Sequence, residues 1–342
     1  MIERILVLGG KGGVGKSSIS AATAVMLSDL LPDKKILLLS FDMAHNLTDL
    51  FKIEIGDKLT HLTNNLWGIE PDPNVYAEEY TRNFTIKMRK LIKKMPLVGF
   101  IPQIKNFVDT AFTADSIPLA LKNAMFFQKI LDAEDKTSHG VQFDIIVADF
   151  PPTGNMIALF DIPEDQVKGF LKYSLNFYNS IKHSLKSFSQ MFRKMLKPFE
   201  VNDPNRMSAG DEIVKMLSEL EEKGERISNL IHDVGSLRLV TIAEKPSFEE
   251  IKRARDLTDK YIQLEGVHIN MITPESKKCN FCHNIRSTQL KYLGEIKNEF
   301  KKTKIWESNR LKDEPIGLDG LRNLAHEIYG NASAMEILHP KA

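Results

Sequence analysis

The chain carries only two cysteines, Cys279 and Cys282, among 342 residues. A secreted domain held by disulfides would use more, so a stapled extracellular scaffold is argued against. Net charge is as scarce: 46 Lys and Arg against 45 Asp and Glu leave a formal +1. No global basic field asks for nucleic acid, and no such partner is expected. No apolar run approaches the ~18 residues that a membrane-spanning helix needs. The N-terminus runs straight into a charged strand without a leader-like stretch, so the expectation is a cytoplasmic protein. Internal repeats and low-complexity tracts are missing too.

What is present is a 42% apolar fraction, ample for a packed core. Short β-branched and leucine-rich runs recur at 4–10, 34–42, 65–70, 143–150, 236–244, 267–272 and 303–307. Continuous short apolar runs suit strands buried on both faces, and helical stretches separate most of them. The alternation predicts an α/β fold with a doubly wound, mostly parallel sheet. Residues 76–135 and 164–233 carry helix-like patterns rich in Met and Phe with no strand between. They are expected to form an inserted all-helical subdomain within one domain spanning 1–342.

The stretch RILVLGGKGGVGKSSIS, residues 4–20, gives the first chemical signal. Gly10, Gly15, Lys16 and Ser17 satisfy G-x-x-x-x-G-K-[ST], with a strand before and a helix pattern after. Glycines let backbone N–H groups approach phosphate oxygens, and the helix N-terminus adds partial positive charge. The nucleotide-binding set is Gly10, Lys11, Gly12, Gly13, Val14, Gly15, Lys16, Ser17 and Ser18. Lys16 would reach the β- and γ-phosphates of ATP, and Ser17 would hold Mg²⁺. The loop has a second lysine, Lys11. The form G-K-G-G-V-G-K-S resembles the deviant, dimerising P-loop class. That resemblance implies that Lys11 crosses a dimer interface to the partner's nucleotide, where a cation steadies charge on the transferred phosphoryl group.

Two aspartates close apolar runs: Asp42 after KKILLLSF and Asp149 after FDIIVA. Ligands of open α/β sheets bind at such strand ends. Phosphoryl transfer needs a carboxylate toward the metal and a group that orients water. The stretches SFDMAHNLTDLF (40–51) and DFPPTGN (149–155) resemble the two switches of the ArsA-type ATPases. That resemblance implies that Asp42 polarises the attacking water, Asp149 reaches Mg²⁺, Asn46 belongs to the first switch and Asn270 reads adenine. The chain departs from the family pattern at Met43, Asn155 and Ala158.

KKCNFCHNI places Cys279 and Cys282 at a zinc-binding spacing, but zinc usually takes four ligands. A two-fold dimer in which each subunit gives two thiolates reaches four, with one Zn²⁺ per dimer. The family's targeting branch resembles this arrangement. His283 as a ligand, a redox pair and two inert thiols are the other readings. The segment 180–199 has apolar residues at Ile181, Leu185, Phe188, Phe192, Met195 and Phe199, one face of a helix flanked by lysines. Core packing is the plain explanation of such a stripe. Methionine-rich surfaces also accept varied apolar partners.

The resemblance, which spans nearly the whole chain, implies a homodimeric ATPase close to the branch that targets tail-anchored membrane proteins. In that branch the subdomain binds the clients' transmembrane segments, and a membrane receptor receives them. The alternatives are an arsenite-pump ATPase subunit and a holdase chaperone switched by oxidation of the cysteines. Arsenite needs three converging soft thiolates, and this chain has two.

Overall fold

The computed structural model describes residues 2–41, 46–71, 129–134, 140–151, 226–275 and 279–341, with residues 82, 86, 153 and 222 besides. The chain divides into two compact units, one of 1–73, 126–160 and 227–342, the other of 74–125 and 161–226. Nearly all of the second unit, including the amphipathic segment 180–199, lies outside the described residues. So do Asp42, Met43, Asn155, Ala158 and the side chain of Asn46.

The first unit is built on an eight-stranded sheet ordered β3-β4-β2-β5-β1-β6-β7-β8. Its strands are β1 (Arg4–Gly10), β2 (Ile36–Ser40), β3 (Thr60–Thr63), β4 (Leu66–Ile69), β5 (Ile145–Asp149), β6 (Gly235–Ile242), β7 (Leu264–Ile272) and β8 (Lys304–Asn309). Every neighbouring pair is parallel except β3 and β4. The doubly wound α/β expectation is therefore correct. The short edge strand β3 is the addition. Thr60–Thr63 and Leu66–Ile69 are joined through Asn64, whose φ of 37° lies in the left-handed region that asparagine tolerates.

The described helices are α1 (Lys16–Leu30), α2 (Asn46–Phe51), α3 (Lys245–Thr258), α4 (Asn280–Glu299), α5 (Gly317–Tyr329) and α6 (Ala334–Leu338), with further helical residues at 129–134 and 226–234. Strands β1, β2 and β5 are buried at every position. Their side chains alternate between two half-cores, as the two-residue period requires. Ile5, Val7, Leu37 and Leu39 meet Phe248 and Ile251 of α3 and Ile296 of α4. Leu6, Leu8, Ile36 and Leu38 meet Ile19 and Val25 of α1 and Leu321 and Leu324 of α5. Helices on both faces explain why the strands read as unbroken apolar runs.

At the N-terminal end of the strands, two arginines hold the last helix. Arg4 Nε donates to the Leu338 carbonyl at 3.1 Å, and Arg238 donates to the carbonyls of Ile337 and Leu338 at 3.2 and 3.1 Å. Both arginines also pair with Glu265, which accepts from Ser236 Oγ at 2.9 Å. Cations on the carbonyls that end a helix complement its dipole. Burial brings the Arg238 guanidinium down to about 10, still charged at neutral pH. Next to it, burial and then Arg238 push the His268 imidazole down to about 3.

Candidate functional site

The loop between β1 and α1 sits at the carboxyl end of the sheet. Gly10 ends β1 so close to β6 that a Cβ there would lie 2.2 Å from the Val240 carbonyl oxygen. Gly15 is the N-cap of α1, at φ 88°. A Cβ on Gly15 would lie 2.4 Å from Asn270 Nδ2, so close packing and left-handed backbone both demand glycine there. Lys16 and Ser17 follow in the first turn of α1, 4% and 9% exposed. Lys11, Gly12 and Gly13 are exposed, Val14 is buried and Ser18 is half-buried. The two lysines of one loop therefore occupy opposite environments.

Asp149 ends β5, level with Leu8 of β1 and Ser40 of β2. It is fully buried. The Ser20 hydroxyl lies 2.9 Å from the Lys16 carbonyl and 3.4 Å from Asp149 Oδ1, and Ser40 Oγ lies 3.5 Å from Asp149 Oδ2. A carboxylate is thus fixed beside the turn that carries Lys16 and Ser17. Helix N–H groups, a lysine, a serine hydroxyl and this carboxylate are the donor set that a triphosphate with a divalent cation requires.

The expected switches begin where β2 and β5 end. Phe41 N–H donates to the Asp149 carbonyl at 2.8 Å, and Phe150 N–H to the Leu8 carbonyl at 3.0 Å. Within the stretch expected as the first switch, the Leu47 N–H in the first turn of α2 donates to Glu70 Oε1 at 3.1 Å. Glu70 is itself buried at the end of β4. In the second switch Thr153 is 1% exposed, and its hydroxyl has no partner among the described residues.

Asn270 lies in β7, 5% exposed. Its Nδ2 donates to the Val14 carbonyl at 3.0 Å, and its Oδ1 accepts from Ser308 Oγ at 2.8 Å. Met271, just after it, has a left-handed φ of 57°. Gln289 of α4 holds this strand end by donating to the Met271 carbonyl at 3.3 Å and accepting from the Thr273 N–H at 2.8 Å. Arg286 donates to the Thr273 carbonyl.

Helix α4 starts at the cysteine pair. Cys279 is its N-cap, and its Sγ accepts from the Cys282 N–H at 3.3 Å. Both thiols are free and half-buried. The backbone N–H of Cys282 draws the Cys279 thiol below its ordinary range, while Cys279 raises that of Cys282. One thiolate is favoured first, as suits a soft metal or a redox partner. His283 is exposed next to the pair. Among the described residues, no three His, Cys, Asp or Glu side chains converge on a metal position within one chain. The two thiols share one helical turn and fit as half of a four-ligand zinc set.

The sequence alone does not single out Ser20, Ser40, Glu70, Gln289 or Ser308. Ser20 follows Lys16 by one helical turn, and Ser40 and Glu70 end apolar strand runs, which are weak signals. Ser308 and Gln289 come from distant segments and only the folded chain brings them to Asn270. No described helix is long and apolar enough to cross a membrane.

Residues 3–330 match the family model described as anion-transporting ATPase. The chain belongs to this family and is an ATPase. It is similar to the putative arsenical pump-driving ATPase of Chlorobaculum tepidum, 28% identical over 337 residues, which cover 98% of this chain and 78% of that protein. It is also similar to the ATPase get3 of Aspergillus niger, 27% identical over 332 residues, covering 94% of this chain and 89% of that one. The ATPase ASNA1 homolog of Dictyostelium discoideum is 28% identical over 322 residues, covering 93% of this chain and 87% of the relative.

Proposed function

We propose that the protein is a homodimeric targeting ATPase that captures the transmembrane segments of tail-anchored clients in a nucleotide-dependent apolar groove. The observation that carries the dimer is the contrast between Lys16, buried in the first turn of α1, and Lys11, exposed on the same loop. An exposed lysine there supports a role toward a nucleotide held by a second subunit. It would act on charge that develops in the transition state.

Within each subunit, Lys16 and the loop N–H groups bind the phosphates. Ser17 and Asp149 would hold Mg²⁺, which neutralises phosphate charge. Asp42 orients the attacking water, and Asn270 reads the adenine. Cys279 and Cys282 supply two thiolates to a zinc shared across the two-fold axis. The helical intervals 76–135 and 164–233 supply the groove. ATP binding draws the switches, and with them the subunits, together, and product release relaxes them.

The test is capture of a peptide with a C-terminal transmembrane helix by the purified full chain. A soluble complex whose yield depends on nucleotide supports targeting, and its absence in every nucleotide state removes that reading. Zinc content of one ion per two chains supports the shared site.

A second reading, an arsenite-pump subunit, is favoured by the relatives named arsenical pump-driving ATPase, two of which cover 98% of this chain. Against it stand only two cysteines for a three-thiolate ligand. Hydrolysis stimulated by arsenite would move the assignment there.

A further inference from the structure

We infer that Ser308 is a specificity-determining residue that sets this ATPase's choice of base, acting through the amide of Asn270. The inference rests on the proposed adenine-reading role of Asn270 and extends it to a residue outside every motif of the chain.

The amide orientation of Asn270 follows from its partners. The Val14 carbonyl can only accept a hydrogen bond, so the amide atom 3.0 Å from it must be the nitrogen. The Ser308 hydroxyl, 2.8 Å from the other amide atom, therefore donates to the oxygen. A terminal amide has a broad torsional preference, so held at one atom it still pivots. Held at both atoms it is fixed. Two hydrogen-bonding positions are left, one N–H and one oxygen lone pair.

That pairing has a polarity. The edge of adenine offers an exocyclic N–H donor beside a ring-nitrogen acceptor, which matches an amide at both positions. Guanine and hypoxanthine carry a carbonyl acceptor at the 6-position where adenine carries its donor, so the Oδ1 lone pair would face another acceptor. Asn270 is 5% exposed, so water does not repair the mismatch. Sites with buried polar groups discriminate strongly because the wrong partner leaves those groups unpaired. Ser308 is itself 3% exposed, at the end of the neighbouring strand β8. Its hydroxyl has the geometry to keep the amide from turning.

The experiment measures equilibrium binding of ATP, GTP and inosine triphosphate to the full chain and to its Ser308→Ala and Ser308→Thr variants, with thermal unfolding of each. Inosine triphosphate removes the 2-amino group of GTP, so it isolates the 6-position. The wild type is expected to prefer ATP over both. Ser308→Ala is expected to narrow the ATP-to-inosine-triphosphate ratio by roughly tenfold. Ser308→Thr, which keeps a hydroxyl, restores it. A Ser308→Ala variant that weakens all three nucleotides equally, or that leaves the ratio unchanged, overturns the role of Ser308 while the base-reading role of Asn270 stands. A wild type that binds ATP and inosine triphosphate alike overturns Asn270 as a base reader, and Ser308 with it.

Discussion

The ring of Phe41 stacks on the ring of Phe150, with centroids 5.3 Å apart and 16° between the planes. Phe41 follows β2 and Phe150 follows β5, so each ring is the neighbour of a proposed catalytic or metal-binding aspartate. The contact ties the roots of the two proposed switches to each other. Replacing Phe150 by Leu is expected to keep ATP affinity within about twofold and lower kcat by roughly tenfold, because the bulk remains but the stacked register is lost. Steady-state hydrolysis alongside nucleotide binding checks it. An unchanged kcat would reduce the stack to simple packing.

Gly15→Ala is expected to abolish detectable ATP binding. The new methyl meets Asn270 Nδ2 at 2.4 Å on a backbone at φ 88°. Strain there adds to displacement of the Val14 hydrogen bond, roughly 1–3 kcal/mol for the backbone alone. Titration calorimetry on a variant shown to be folded by circular dichroism reads the effect. Retained affinity would mean that the loop adopts another conformation when it is loaded.

Lys11→Ala is expected to leave ATP affinity near that of the wild type and to slow hydrolysis by roughly a hundredfold or more, the scale of cations delivered in trans. Mixed dimers locate the defect. In a mixed dimer with a hydrolysis-dead Asp42→Asn partner, a lysine that acts across the interface lets the partner's Lys11 serve the site of the Lys11→Ala subunit, and hydrolysis returns there. A defect confined to the subunit that carries the substitution would count against the proposed geometry.

Stability is expected to fall in acid through His268. Its folded value, about 3, lies below the ordinary 6.5, with burial as the first cause and Arg238 as the second. The unfolded chain therefore takes up the proton first. The stabilisation is complete above pH 6.5 and drains away as the pH falls toward 3, at up to ~1.4 kcal/mol per pH unit. Arg238 and Tyr329 face this ring, with guanidinium and phenol values of about 10 and about 12, so neither titrates in that window. His268→Gln should flatten the urea-midpoint curve between pH 6.5 and 4.5, recovering about 2–3 kcal/mol of the wild-type loss. An equal acid dependence in the variant would place the sensitivity elsewhere.

The sheet was legible because its strands are buried on both faces. Runs such as RILVLGG and ILLLS carry no polar alternation to confuse them with surface strands. The glycine loop between β1 and α1 was legible because its glycines are local in sequence and answer backbone requirements. Strand β3 was not: Thr60–Thr63 has a single buried position, Leu62, and pairs at an edge. The hydrogen-bonding partners were not either. Asn270 lies 256 residues from Val14 and 38 from Ser308, and nothing in a periodic pattern records which distant hydroxyl will meet an amide. Most of the expected helical subdomain and residues 42–45 of the first switch fall outside those described.

Strand order also has a consequence in time. β1 leads into the proposed phosphate loop, yet its two sheet neighbours are β5 and β6, beginning at Ile145 and Gly235. A chain emerging from the ribosome has therefore made its loop long before either flanking strand exists. β1 must wait through the first helical interval for β5 and through both for β6, and such non-local pairing is slow to form. A protein proposed to shield other proteins' apolar segments begins its own life with an apolar segment in need of shielding.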